Sequence, residues 1–448
     1  MKSNARLLYI VLAKLSVLFA TAAFAGSATW NSNPISADWN TAENWTPATV
    51  PNGEGDMATF ALSSTTDVSL SADTTVDGIV FEAGADAFTV STVSTQFANL
   101  TVSGVGVTNS SQNVQRFVAG VDSAGNPGSI SFVNDASAGL RTTFTASGNP
   151  IAGRVGGSII FRDQSTAGRA VLVAMQGVNG GGGRIQFVDS STGDGAVVKM
   201  SGNSLLDLSE HLGGLTIGSL AGSGLVDLGG VNLAIGNNNR DTIFAGKITD
   251  GDSGSGSMTK IGNGTLTLRG ANTYRGGTIV TGGRLVIENL AGSATGTGAI
   301  TVIDGGVLGG SGIAAGPVTL GTGNNQFGGI APGIKTGTPT TLTLNGQLTF
   351  KSDSTFTWNM NSDTVTADLV VARGVAIEGG TFYAYDLGNV KLPTGTVLTV
   401  IRNTSATRIS GAFSDLSDGD SIFFAPHFYG FSASFRGGDG NDLTLTAL

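Results

Sequence analysis

Residues Gly157-Ser158-Ile159-Ile160-Phe161 recur 26 positions later as Gly183-Arg184-Ile185-Gln186-Phe187. The correspondence runs on: Asp163 falls on Asp189, Ser165-Thr166 on Ser191-Thr192, and Ala170-Val171 on Ala196-Val197. Gly128-Ser129-Ile130-Ser131-Phe132 is an earlier copy, offset by 29. A chain that repeats one unit at such a period folds as a stack of that unit, because each copy buries its apolar side only against its neighbours. Within each copy Ile and Phe alternate with other residues at period two, a polar Asp/Asn and Ser-Thr-Gly cluster makes a turn, and a second β-rich run follows. Helical spacing at i, i+3 and i+4 is missing, which excludes the helical repeat classes. Strand, turn, strand is therefore one coil, and coils stacked at about 4.8 Å line up inward Val, Ile, Leu and Phe as a continuous ladder. The predicted class is all-β, a parallel β-helix or β-solenoid.

Composition fits that architecture. Gly supplies 70 of 448 residues, suited to corners that need positive φ or close backbone approach, while charged residues are only 12%. Cys is absent, so neither disulfides nor a zinc-thiolate centre stabilises the fold. Residues 1–25 read as a signal peptide: Lys2 and Arg6 precede an apolar stretch from Leu7 to Ala20, and Ala23-Phe24-Ala25 offers a cleavage site. Losing Lys2, Arg6 and Lys14 with it takes the net charge from −9 to −12. Such an acidic chain has no electrostatic route to nucleic acid or anionic lipid, and no membrane span is expected after signal removal.

Two stretches depart from the repeat. Residues 26–60 carry Trp30, Trp39 and Trp45, and residues 411–448 concentrate Phe413, Phe423, Phe424, Phe428, Tyr429, Phe431 and Phe435. Both are read as caps that cover the open ends of the stack, which leaves residues 61–410 as the repeat body.

From Ile217 onward the chain resembles the bacterial autotransporter-associated β-strand repeat proteins. The motif runs from Lys260 to Thr278, with the core Gly270-Ala271-Asn272-Thr273-Tyr274-Arg275-Gly276-Gly277-Thr278, and continues through Gly282-Gly283-Arg284-Leu285. The family repeat spans 258–287. Asp38-Trp39-Asn40, Asn44-Trp45, Ala331-Pro332-Gly333 and the closing stretch Gly437 to Leu445 are similar to the usual start and ending of secreted members. The resemblance implies a right-handed parallel β-helix of the passenger type. It is to the passenger alone, without the C-terminal β-barrel translocator that an autotransporter carries.

The motif residues belong to turns and strands and name no reaction. Gly437-Gly438-Asp439-Gly440-Asn441-Asp442 matches the start of a calcium-binding nonapeptide, yet it stands in a single copy and reads as a turn of the final strand. Asp250-Gly251-Asp252-Ser253-Gly254 is oxygen-rich but lacks a bidentate Glu, and reads as a solvated turn. His211 and His427 are assigned to a turn and a cap. Ser223 and Ser255 lie in Gly-Ser-Gly turns without a following helix, and Gly180 to Gly183 lacks the Lys-Ser/Thr of a phosphate loop. Trp30, Trp39 and Trp45 are read as packing, with stacking on sugar rings as the second reading. No catalytic, cofactor or metal residue is assigned, and no cofactor is expected. The expected role is an exported, noncatalytic scaffold with adhesin-like character, extracellular, at the outer surface or periplasmic, with glycans or cell-surface components as partners. The alternative is a polysaccharide lyase or hydrolase, which requires converging carboxylates.

Overall fold

A computed structural model describes residues 26–93, 96–252, 254–333, 338–424 and 429–448. Residues 1–25, expected to be a signal peptide, and Ser253, His427 and Phe428 lie outside the described residues. Nearly all regular structure is β, arranged in sheets of eleven, fifteen, nine and seven strands. The fifteen-stranded sheet runs from Asp67–Ser69 to Thr381–Asp386. All its strands pair in parallel, one per coil, apart from the antiparallel addition Thr366–Ala367. The chain is a β-solenoid.

The repeat offsets are the strand registers. Ser129–Phe132, Ser158–Phe161 and Arg184–Phe187 are adjacent parallel strands, with Ile159 opposite Ile130 and Ile185, and Phe161 opposite Phe132 and Phe187. Val171 likewise faces Val197 on the next sheet. Alternation sets which side chains point inward: Ile159 and Phe161 are fully buried, while Ser158 and Ile160 are half-buried on the outer face. The polar cluster turns the corner through Asn134, Asp163 and Asp189, each with φ between 52° and 54°. These turns are stitched together, since Asp163 accepts the Asn134 N–H at 2.8 Å and Asp189 accepts the Asp163 N–H at 3.2 Å. Gly157 and Gly183 have a different task, because a Cβ on either would collide with the Ala119 or Ala146 carbonyl oxygen of the preceding coil.

From Leu215–Ile217, where the nine-stranded sheet begins, each coil has three sides. The eleven-stranded sheet forms one side up to Lys247–Thr249, and the seven-stranded sheet takes over at Ile313–Ala314. Between them the side is irregular but still hydrogen-bonded: Thr273 N–H to Ile248 O, Asn272 N–H to Ser293 O, and Ala294 N–H to Ile313 O.

The ends are closed differently. At the first coils Trp30, Trp39 and Trp45 are buried around Phe60, with the Trp30–Trp45 and Trp39–Trp45 ring centroids 5.0 Å apart. Each indole N–H reaches a backbone carbonyl, of Thr65, Pro51 and Trp39 respectively. At the other end Asp442–Ala447 pairs antiparallel with Val397–Asn403, and Tyr429–Gly437 then Ser421–Phe424 extend the reversal. The expected C-terminal aromatic group is divided. Phe413 joins Phe350, Phe356 and Phe382, whereas Phe431 and Phe435 pack in the terminal hairpin and Phe423 is 67% exposed.

Candidate functional site

The sequence candidates are mostly spent on structure. Asp442 pairs with Gly437 across the last hairpin and accepts the Asn403 N–H at 2.9 Å; burial and the nearby Asp439 raise its pKa. Among the described residues no group of three or more His, Asp or Glu is placed to hold a metal ion. Asp250 is buried and takes both the backbone N–H and the guanidinium of Arg275, at 3.0 and 3.1 Å. His211 donates from Nε2 to the Ser191 carbonyl at 2.7 Å, inside a turn. Ser223 accepts the Gly202 N–H. Gly180, Gly181 and Gly183 direct their N–H groups at the carbonyls of Asn149, Arg154 and Met175, so the glycine run cannot cradle a phosphate. With all three indoles buried, stacking of Trp30, Trp39 or Trp45 on a sugar is overturned, because no ring face meets solvent.

The coil at 257–287 holds polar groups that periodicity did not reveal. Lys260 occupies an inward position between Ile235 and Val280, and its ammonium donates to the carbonyls of Ile261, Gly262 and Gly282 at 2.7, 2.9 and 3.1 Å. Burial pushes its pKa down to about 8, against the opposing pull of Asp241. Asn272 clamps three coils: its side chain accepts the Ile248 N–H at 2.8 Å and donates to Ala294 O at 2.5 Å. Tyr274 is buried with its hydroxyl 2.6 Å from the Thr278 hydroxyl, and burial raises its pKa.

The solenoid offers a ligand its outer face on the fifteen-stranded sheet. In the strands of that sheet from Gln115–Ala119 to Gly328–Ala331, the charged side chains are Arg116, Lys199 and Arg284, with no carboxylate. Three concavities follow one another along this face. One of about 770 Å³ lies between Arg169 and Arg240, bordered by Asp194 and Asn237. The next two, about 380 and 540 Å³, share Asp241, Thr265 and Arg284, and the first of them has Ile243 and Val286 in its wall. The segment from Asn237 to Asp241 forms the partition. It is held by Asn238 to the Ser219 hydroxyl at 3.0 Å and by Asn239 and Asp241, which accept the N–H groups of Asn263 and Thr265.

The grooves thus lie beside and within the coil that carries the Gly270 to Thr278 motif, and comparison with known families matches the same segment. The passenger-associated-transport-repeat family matches residues 258–287. This coil is similar to that passenger-associated repeat. A 126-residue stretch of the chain is 41% identical to the adhesin BmaC autotransporter of Brucella suis biovar 1 (strain 1330). The match covers 26% of this chain and 4% of that much longer protein. The crystal structure of the Haemophilus influenzae Hap adhesin aligns over 89% of this chain and 65% of its own, at 12% identity and a TM-score of 0.24. The strand registers of the chain itself define the fold. Among the described residues no helix is long and apolar enough to cross a membrane.

Proposed function

We propose that this chain is an exported, noncatalytic adhesin passenger, displayed at the outer cell surface or released, that binds glycans or surface components with the grooved face of its fifteen-stranded sheet. The observation that carries this reading is the row of concavities along a face whose central strands bear basic and no acidic side chains. A rigid ladder of parallel strands holds such grooves in line at fixed spacing, as an extended ligand requires. The passenger repeat and the adhesin relative favour the same reading. Residues 1–25 serve as the signal peptide, 26–60 and 411–448 as caps, and 61–410 as the body.

Purified residues 26–448 should adhere to cultured cells or immobilised extracellular matrix, and fractionation of the producing cells should place the protein outside the outer membrane with Gly26 at its N-terminus. Protein confined to the periplasm, or failure to bind any surface, overturns the reading. Release of reducing ends or unsaturated products from a polysaccharide panel overturns its noncatalytic part.

A further inference from the structure

We infer that the groove line through Arg169, Arg240 and Arg284 binds a linear, carboxylate-bearing polysaccharide laid along the solenoid axis. This rests on the adhesin reading of the face and names its ligand.

The three guanidiniums are exposed and uncommitted. Arg184, Arg269, Arg275 and Arg436 are held in ion pairs, whereas among the described residues no side-chain partner engages Arg169, Arg240 or Arg284. In a chain with 32 carboxylates and a net charge of −9, three free guanidiniums lining adjoining concavities suit anionic groups.

Their spacing follows from the strand pairing. Val171 pairs with Val197, Val197 with Ser219, and Gly222 with Phe244, so Arg169 and Arg240 sit three coils apart. Thr242 pairs with Leu266 and Thr265 with Arg284, which puts Arg240 and Arg284 two coils apart. At about 4.8 Å per coil the cations recur at roughly 14 and 10 Å along the axis. Nucleic acid carries a phosphate every ~3.4 Å per strand, far denser than this. A sugar chain that bears a carboxylate on every ring or on every second ring can place some of its carboxylates at these intervals.

The surface between the cations suits saccharide rings. Ile243 is 41% exposed and offers an apolar patch to a pyranose C–H face. Asp194 accepts the Thr166 hydroxyl at 2.6 Å and Asp241 the Thr265 N–H at 2.6 Å, and their remaining oxygens can accept from sugar hydroxyls. A peptide has less to gain, because the backbone groups of these strands already pair with neighbouring coils. The overall negative charge gives no long-range attraction to such a polymer, so binding rests on local contacts: at physiological ionic strength screening weakens repulsion beyond about 8 Å, while Arg–carboxylate contacts are made at hydrogen-bond range.

The test is calorimetric titration of residues 26–448 with polygalacturonate, alginate and hyaluronate, alongside methyl-esterified polygalacturonate, heparin and dextran. Binding to at least one carboxylated polymer is expected, with at least tenfold loss in R169A/R240A/R284A and a severalfold loss in each single variant. The side chains are exposed, so circular dichroism should show all variants folded. Failure of all three carboxylated polymers overturns the inference, as do binding to heparin alone, equal binding of the esterified polymer, or an unaffected triple variant. If the triple variant loses polymer binding but still adheres to cells like the parent, the ligand assignment holds and the adhesive contact lies elsewhere. Cell adhesion by a chain that binds no carboxylated polymer leaves the adhesin reading standing and removes this one.

Discussion

Between Ser129 and Met200 the solenoid interior carries a column of stacked Phe rings among its aliphatic side chains, whereas between Ser257 and Gly310 it is mainly aliphatic and pierced by polar clamps. In the first region Phe161 stacks on Phe132 at 5.0 Å and on Phe187 at 4.9 Å, with interplanar angles of 9° and 13°. In the second, Leu266, Leu285 and Leu308 form the inward row, while Lys260, Asn272 and Tyr274 are buried beside it with hydrogen-bond partners. One backbone geometry is thus compatible with two ways of holding register. Stacked rings contribute area and dispersion but tolerate sliding, whereas a buried amide spanning three coils makes any other register costly, since it would strand polar groups without partners.

The largest predicted effect is in the ring column. Phe161→Ala removes a ring sandwiched on both faces and should cost about 3–5 kcal/mol in denaturant unfolding. In a solenoid each coil contacts only its neighbours, so loss of amide-exchange protection should concentrate in strands 129–200 and spare 257–310. Uniform loss across both would erase the distinction between the regions.

Next comes Asn272→Leu, which leaves the Ile248 N–H and the Ala294 carbonyl without their partner. At roughly 1–3 kcal/mol for each of these two buried groups, with part of the loss recovered by burying an apolar Leu in place of an amide, it should cost about 2–4 kcal/mol. A near-neutral Asn272→Leu in thermal melts would mean that the clamp is ornamental to stability.

Lys260 sharpens the comparison by pH. Its folded pKa is depressed to about 8 from 10.5, so between those values the unfolded chain binds more protons and stability rises with pH. The rise should be on the order of 3 kcal/mol, because folding lowers the proton affinity by two to three tenfold steps and each corresponds to about 1.4 kcal/mol. Lys260→Met should flatten the stability profile in that window, while Phe161→Ala should leave its slope unchanged. The same slope in the parent and in Lys260→Met would refute the assignment to this ammonium.

The smallest effect is expected at Arg269 and Glu288, an exposed pair 2.9 Å apart. Arg269→Ala should change the unfolding free energy by less than about 1 kcal/mol, and less still at high salt.

Much of the fold is legible in the amino-acid order. The 26-residue offset places Ile159 on Ile185 and Val171 on Val197, and these pairs are strand partners. Such pairing is readable because period-two alternation and turn chemistry are local properties. The grooved face is not legible in the same way. Arg169, Arg240 and Arg284 share no motif, and they align only because coil length varies: 26 residues separate Val171 from Val197, but 19 separate Thr265 from Arg284. A fixed-period reading loses register wherever a turn shortens. Lys260 stands first in the family motif, yet its inward aim depends on the carbonyls of Ile261, Gly262 and Gly282 that converge on it.

By itself the amino-acid order determined that this chain stacks strands and turns its corners on Gly, Asn and Asp, because inward alternation and left-handed turn conformations are written within a few residues. Only the tertiary structure decided which distant residues meet. The indoles of Trp30, Trp39 and Trp45 closed on each other rather than facing solvent, and scattered arginines came into one line. Those outcomes depend on how many residues each coil spends at its corners, and stacking sums those lengths over the whole ladder.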